Sequence, residues 1–369
     1  MTSGQLEILA IAGVTAAACA LVGVFLVLRR TALVSDAIGH AVLVGIALGF
    51  FVTGTTTSPL LLLVAGATGL VTVALVDLVT RTRLVREDAA IGLVFPALFS
   101  AGVILVSRYA DGVHLDTDAV LLGELAFAPF DRLVFWDFDF GPTSLVVLSA
   151  VLLVDLAVIA ALWKELKLTT FDSGLAVSLG FAPALVNYAL MTLVSTTTVA
   201  SFNAVGSILV VALMIVPAAA AYLLTDSLVR LVGLAVTIGV GSAVGGYWLS
   251  YALDASIAGC IATACGAAFV LSWLFSPGRG LIAGARRRTR QKLRFAVTML
   301  AIHLANHEGL PEADVESRVG HLGEHLRWET RFAARVVERA EEQGVVTRSG
   351  ERLGLTAAGR DLAATAVSR

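Results

Sequence analysis

The stretch ILAIAGVTAAACALVGVFLVL, residues 8–28, contains no charged side chain and is followed at once by Arg29 and Arg30. A helix needs about 20 apolar residues to cross the hydrocarbon core of a bilayer. The basic residues follow the apolar run instead of preceding it, which is the pattern of a first membrane span and not of a cleaved signal peptide. The sequence therefore predicts a membrane-spanning helix here.

The whole chain has the composition of a membrane protein. Of its 369 residues, 57% are hydrophobic and 15% are charged, and the mean hydropathy is +0.87. These values exclude a water-soluble globular protein. Nine runs reach span length: residues 8–28, 36–54, 58–79, 89–107, 143–163, 184–202, 203–223, 227–250 and 255–275. We predict an all-α, multi-pass protein with about nine transmembrane helices, in which the break between the sixth and seventh is the weakest.

Basic residues fall in alternate loops, which sets the expected orientation in a plasma (inner) membrane. They are Arg29, Arg30, Arg81, Arg83, Arg86, Lys164, Lys167, Arg230, Arg286, Arg287 and Arg288. Loops rich in Lys and Arg stay in the cytoplasm, so we expect the N-terminus outside and the C-terminus inside. The loop at residues 108–142 then lies outside, with acidic residues at Asp111, Asp116, Asp118, Glu124, Asp131, Asp137 and Asp139.

The last quarter of the chain differs in character, because 16 of the 26 Lys and Arg lie from Arg279 onward. We expect a transmembrane domain at 1–278, a basic linker at 279–291 and a cytoplasmic domain at 292–369. The latter should contain helices at 292–306, 311–319 and 324–343, a hairpin at 345–355, and a last helix capped by Thr356. This order predicts a small winged helix-turn-helix.

Ionisable residues inside a span are costly and are functional candidates by default. Asp36, His40 and Asp155 qualify. Asp36 and His40 are four residues apart, so they lie on one helix face. A carboxylate oxygen and an imidazole nitrogen suit manganese, iron or zinc. The pair could instead neutralise itself or line an aqueous vestibule, and for Asp155 we favour a structural hydrogen bond to a neighbouring helix.

Four segments resemble the permeases of the zinc, manganese and iron ABC importers. They are LRRTALVSDAIGHAVL (28–43), EDAAIGLVF (87–95), FDSGLAVSLG (171–180) and SFNAVGSILVVAL (201–213), the last continuing to PAAA (217–220). The resemblance implies that Asp36 and His40 hold the ion on its path, as cargo and not as a permanent cofactor. It also implies that residues 171–180, with Phe171, Asp172, Ala176, Leu179 and Gly180, couple the chain to an ATPase.

The resemblance also implies partners. The chain carries no Gly-x-x-x-x-Gly-Lys loop, so ATP hydrolysis should belong to a separate subunit and the chain is not itself an enzyme. We expect a second permease subunit, identical or different, and a metal-loaded solute-binding protein that docks near residues 116–124. The family usually has Ser and Pro at the positions where this chain has Gly39 and Val44. The choice between manganese and zinc as the transported ion therefore stays open.

The C-terminal region carries two further candidate features. LGLTAAGRDLA (353–363) resembles iron-dependent repressors, and Arg327, Arg331, Arg335 and Arg339 recur on one helix. Because Glu residues are interleaved, we favour a solvated face over contact with nucleic acid. Two i, i+4 pairs of histidines are present, His303 with His307 and His321 with His325. They are either a regulatory metal site or exposed histidines on helices.

Two other classes of protein compete with the importer hypothesis. A membrane-anchored regulator would use the C-terminal region to sense metal or DNA, and would not co-purify with an ATPase. A carrier driven by an ion gradient would show more intramembrane acids and inverted repeats, and the sequence shows no repeat.

Overall fold

The computed structural model describes residues 2–53, 59–109, 125–135, 138–322 and 326–367. It divides into two compact units, Met1–Arg279 and Gly280–Arg369. Each unit has its own hydrophobic core.

The first unit is a helical bundle. In the part of the chain that is described, nine helices are long and apolar enough to cross a membrane, as predicted. These helices are α1 (Ser3–Arg29), α2 (Leu33–Thr53), α3 (Pro59–Arg81), α4 (Glu87–Tyr109), α5 (Thr143–Ala161), α8 (Pro183–Val205), α9 (Ser207–Leu224), α10 (Leu228–Leu253) and α11 (Ile257–Phe275). Two short helices, α6 (Trp163–Phe171) and α7 (Ser173–Ser178), connect α5 to α8.

Helix α1 lies at the centre of this bundle. Its first turn is closed by a capping box in which Thr2 and Gln5 bond each other's backbone amides, which satisfies two donors that the helix itself leaves open. Its residues from Ile11 to Leu26 are almost all buried, and α1 contacts α5, α8, α9 and α10. A helix that is apolar on every side is stable in this position because neighbours cover its whole circumference.

The break between the sixth and seventh spans lies at Gly206. The spans predicted at 184–202 and 203–223 put it after residue 202, but α8 continues to Val205 and α9 starts at Ser207. Gly206 has a φ of 78°, a conformation that glycine adopts without the steric cost of a side chain. The chain therefore turns there and not at the preceding polar residues.

A β-hairpin precedes α5, formed by β1 (Arg132–Phe135) and β2 (Phe138–Pro142). Arg132 donates to Asp139 Oδ2 at 2.6 Å and to Glu7 Oε1 at 3.1 Å, so it ties the hairpin to α1. The Arg132 guanidinium holds the pKa of Asp139 below its usual value. The expected docking segment at 116–124 lies outside the described residues, as do Asp111 and Asp137.

The second unit contains four helices and one hairpin in its described part. They are α12 (Leu281–His307), α13 (Ala313–Glu316), α14 (Thr330–Glu342), β3 (Val346–Ser349), β4 (Arg352–Leu355) and α15 (Ala357–Val367). The hairpin turns at Gly350, whose φ is 64°, and Thr356 caps α15 by accepting the Gly359 amide at 3.0 Å. Both features agree with the prediction.

Three expectations for this unit need correction. Residues 281–291 are not a linker, because α12 runs through them without a break; no Gly or Pro interrupts 285–307, and Arg, Gln and Lys are good helix formers. The second helix is limited to Ala313–Glu316. The third begins at Thr330, since Arg327 has a left-handed φ of 51° and Glu329 is extended. The winged-helix assignment stays a prediction.

Candidate functional site

Asp36 and His40 lie in the first two turns of α2. His40 Nε2 is 3.4 Å from Asp36 Oδ1, and the two side chains are 26% and 46% exposed. The positive end of a helix dipole stabilises a carboxylate in the first turn. The pair is therefore close to the amino-terminal end of its span and remains accessible from one side.

Two neighbouring helices, α4 and α8, contribute different kinds of side chain around the Asp36–His40 pair. On α4, the rings of Phe95 and Phe99 lie with centroids 5.3 and 5.9 Å from that of His40. On α8, Thr198 lies opposite Gly39, where an added Cβ would meet only the Thr198 methyl at 3.8 Å. The departure from the family pattern at Gly39 thus creates no steric conflict. The pair therefore has aromatic rings of α4 on one side.

The spacing of the two ligand atoms suits a transition-metal ion. Metal–ligand bonds of about 2.0–2.1 Å at tetrahedral angles separate two ligand atoms by about 3.3 Å. The Asp36–His40 distance of 3.4 Å is close to that value. Two protein ligands leave the remaining positions to water or other groups, which suits an ion that must also leave.

Asp155 occupies a different environment on α5. Its side chain is 1% exposed, and Asp155 Oδ2 accepts a hydrogen bond from Thr197 of α8 at 2.7 Å. The other oxygen, Oδ1, is buried and has no hydrogen-bond partner. The structural hydrogen bond to a neighbouring helix that we favoured is therefore present.

A further acidic residue within the spans was not among the candidates named from the sequence. Asp77 lies near the end of α3 and pairs with Arg81 one turn later at 2.7 Å. Tyr188 of α8 also donates to Asp77, at 3.3 Å. A carboxylate with an arginine four residues on is a recognisable surface pair, so the signal was present in the sequence.

Arg29 joins three helices at the end of α1. Its guanidinium donates to Thr169 at 2.9 Å and Thr170 at 3.1 Å on α6, and to Asn187 at 3.0 Å on α8. The sequence indicated only a basic residue that sets orientation. These contacts join residues more than 130 positions apart in the chain, and no local pattern reveals them.

The segment at 171–180 forms a short helix with an exposed apolar surface. Asp172 caps α7 by accepting the Leu175 amide at 2.8 Å, and Gly180 ends it with a φ of 84°. Phe171, Val177 and Leu179 are exposed, each by more than half. Ala176 is fully buried, so it packs this helix against the bundle and presents no surface to a partner.

The histidines of the second unit are partly brought together. His303 and His307 stack on α12 with ring centroids 4.7 Å apart, and His321 and His303 both approach Glu316. Glu316 was missed in the sequence because no i, i+4 spacing links it to either histidine pair. His325 lies outside the described residues.

Comparisons with known proteins agree with this architecture. Residues 5–276 match the model of the ABC 3 transport family. The zinc transport system membrane protein TroD of Treponema pallidum (strain Nichols) is 49% identical over 358 residues, covering 97% of each chain. The manganese transport system membrane protein MntD of Bacillus subtilis (strain 168) is 45% identical over 264 residues, covering 72% of this chain and 89% of MntD.

A solved structure has the same fold over most of its length. PsaBC from Streptococcus pneumoniae, in complex with Fab, superposes with a TM-score of 0.64 and 28% identity, covering 76% of this chain and 94% of that one. The family model spans nearly the whole first unit, and both relatives exceed 30% identity over more than two thirds of this chain. The chain therefore belongs to the ABC 3 transport family.

Proposed function

We propose that this chain is the membrane-spanning subunit of an ATP-driven importer for divalent transition-metal ions. Relatives named for zinc, manganese and chelated iron transport support that ion class. The observation that carries the proposal is the Asp36–His40 pair, with its ligand atoms 3.4 Å apart within a bundle of span-length helices. The ion is the cargo of this pair.

A nitrogen and an oxygen ligand favour a transition metal over a hard cation. Magnesium and calcium take oxygen ligands almost exclusively, whereas imidazole suits zinc and iron, and carboxylate suits manganese. The pair supplies one ligand of each kind. It would replace part of the hydration shell of the ion while leaving the rest exchangeable.

Coupling to ATP hydrolysis would enter through α7. The exposed side chains of Val177 in α7 and of Phe171 and Leu179 beside it form an apolar surface of the kind that docks into a groove on another protein. Ala176 is buried and would hold the helix in place without touching the ATPase subunit, whereas Asp172 caps the helix and is exposed.

The complete transporter would need three further proteins. A separate subunit would hydrolyse ATP, a solute-binding protein would deliver the ion from outside, and a second permease subunit would complete the pathway. The alternation of basic loops supports an orientation with the N-terminus outside and the C-terminus in the cytoplasm. In that orientation α7, with Lys164 and Lys167 just before it, lies on the ATPase side.

The test is uptake of radiolabelled manganese or zinc by the complex reconstituted with its ATPase. Asp36→Asn and His40→Gln keep the side-chain volume but remove one ligand each, so we expect uptake to fall at least about tenfold, the range over which even outer-sphere changes weaken metal sites. Asp77→Asn is the matched control, since Asp77 pairs with Arg81 instead. Parental uptake by both ligand variants would refute the assignment.

A further inference from the structure

A cluster of metal-ligating side chains lies in the second unit. His303, His307 and Glu316 each place one ligand atom within 4.8 Å of the other two. Two of them come from α12 and the third from α13, so the cluster joins the long helix of this unit to the short one. His303 and Glu316 are each only 8% exposed.

The Glu316 carboxylate lies within coordination reach of the His303 ring. His303 Nε2 is 3.4 Å from Glu316 Oε2, and it makes a long hydrogen-bond contact, also 3.4 Å, with the Glu316 carbonyl oxygen. The first distance is close to the roughly 3.3 Å that separates two ligand atoms of a tetrahedral zinc site.

The ring of His307 is oriented as metal-binding histidines are. Its Nδ1 lies 2.8 Å from the backbone carbonyl of His303, so Nδ1 carries the proton in this tautomer and Nε2 keeps its lone pair. Metal ligands almost always donate their other ring nitrogen in this way, which fixes the ring and raises its basicity.

The carboxylate of Glu316 is held from its far side. His321 Nε2 lies 3.4 Å from Glu316 Oε1, and His321 is 24% exposed. A buried carboxylate is costly unless it is paired or coordinates a metal. His321 would orient the carboxylate, leaving Oε2 to face His303.

A route for an ion to reach the cluster is present. His307 lines a cavity of about 360 Å³, together with Glu308, Asp314 and Arg352. This cavity is open to solvent and partly polar, so a hydrated cation can approach His307 without crossing the core. An entry path is one of the requirements for a functional metal site.

The geometry points to a second metal site, with His303, His307 and Glu316 as ligands and His321 as the positioning residue. Two nitrogens and one oxygen favour a zinc-like ion over manganese, which prefers oxygen-rich sites. Binding there would fasten α13 to α12. The site rests on the second unit alone and does not depend on transport through the bundle.

The test uses the full chain in nanodiscs, purified without a polyhistidine tag and carrying Asp36→Asn and His40→Gln, so that the bundle pair does not contribute. Zinc is titrated against a chromophoric chelator. Cobalt is added in parallel, because tetrahedral cobalt gives a strong visible absorption band. We expect one equivalent of zinc per chain and a tetrahedral cobalt spectrum.

Two ligand variants and one control decide the result. Glu316→Gln is isosteric, and His307→Gln changes a partly exposed residue that tolerates replacement. Each of these two variants should weaken zinc binding at least tenfold and remove the cobalt absorption band. Glu312→Gln, an exposed glutamate one turn before Glu316, should leave both unchanged. Thermal unfolding identifies any variant that fails to fold, in which case the other ligand variant decides.

The outcomes separate this site from the transport pair. Parental zinc affinity in both ligand variants would overturn the site and leave a metal-free His–Glu network. If Glu316→Gln removes one equivalent while Asp36→Asn with His40→Gln removes none from the otherwise unmodified chain, the second site stands and the transport pair fails.

Discussion

At the scale of single residues, polar side chains in the bundle differ in what they contact. Asp36 and His40 face each other across an accessible side of α2. Asp155 is buried and bonded to Thr197. The sequence placed all three in spans and favoured a structural role for Asp155, but it could not give their burial, since burial depends on which neighbouring helix lies opposite each position.

Arg29 is the residue whose role changes most once the fold is known. Lysine has a compact ammonium group and cannot reach three acceptors as the planar guanidinium does. Because hydrogen bonds to charged groups contribute about 1.5–3 kcal/mol each, we expect Arg29→Lys to destabilise the chain by about 2 kcal/mol. The Arg29→Lys variant should have a lower melting temperature in detergent and a lower rate of ATP-dependent metal uptake than the parent.

The neighbouring arginine is the control for that prediction. Arg30 is exposed and lies in a left-handed turn with a φ of 62°, so Arg30→Lys should melt and transport like the parent. Equal stability of the two variants would mean that the bonds from Arg29 to Thr170 and Asn187 contribute nothing to this junction.

At the scale of helices, close packing depends on small residues. A Cβ at Gly23 of α1 would overlap the Met214 backbone of α9, and one at Gly246 of α10 would overlap the Ile261 backbone of α11. Small residues allow such approach between membrane helices. The exposed apolar side chains of α4 and α5, by contrast, form the surface expected to face lipid.

Two glycines on α1 test this packing. Gly23→Ala places a methyl group on a neighbouring backbone that cannot move aside, so we expect a loss of about 1–3 kcal/mol, the usual cost of overpacking. Gly13→Ala has open space around it and should be neutral or slightly stabilising, because alanine is the better helix former. Thermal unfolding in detergent compares them. Equal melting temperatures would contradict the close contact between α1 and α9.

At the scale of the whole molecule, the chain consists of two units with separate cores. The match to MntD covers 89% of that protein with only 72% of this chain, so the family fold does not require the second unit. The second unit buries Val297, Leu300, Val336 and Leu353 in its own core, and a fragment of residues 280–369 should therefore fold by itself.

That fragment should lose a stabilising ion pair in acid. Arg360 donates to both oxygens of Glu308 and lowers the pKa of that carboxyl. A lowered pKa in the folded state stabilises above the unfolded value of about 4.3, and this contribution disappears as pH falls through the lower folded value. Glu308→Gln should therefore lower the melting temperature slightly at neutral pH and leave it unchanged once the pH lies below the lowered pKa of Glu308.

Circular dichroism over a pH series measures the melting temperatures of the parent fragment and of its Glu308→Gln variant. Glu312→Gln is the control, since Glu312 is exposed and should show the parental pH profile. A difference between parent and Glu308→Gln that persisted at the lowest pH would show that the glutamine acts through something other than the lost charge.

The sequence by itself determined the features that depend on local pattern. Span-length apolar runs predicted nine helices, the spacing of four placed Asp36 and His40 on one face, and turn residues located the hairpin at Gly350 and the cap at Thr356. These succeed because helix periodicity, capping and turn geometry act over a few residues.

Only the tertiary structure decided which distant residues meet. It brought Glu316 to His303, joined Arg29 to Asn187, and moved the break between two spans to Gly206. Such contacts depend on how whole helices pack, and packing is set by shape complementarity between surfaces far apart in the chain. No spacing within one helix carries that information.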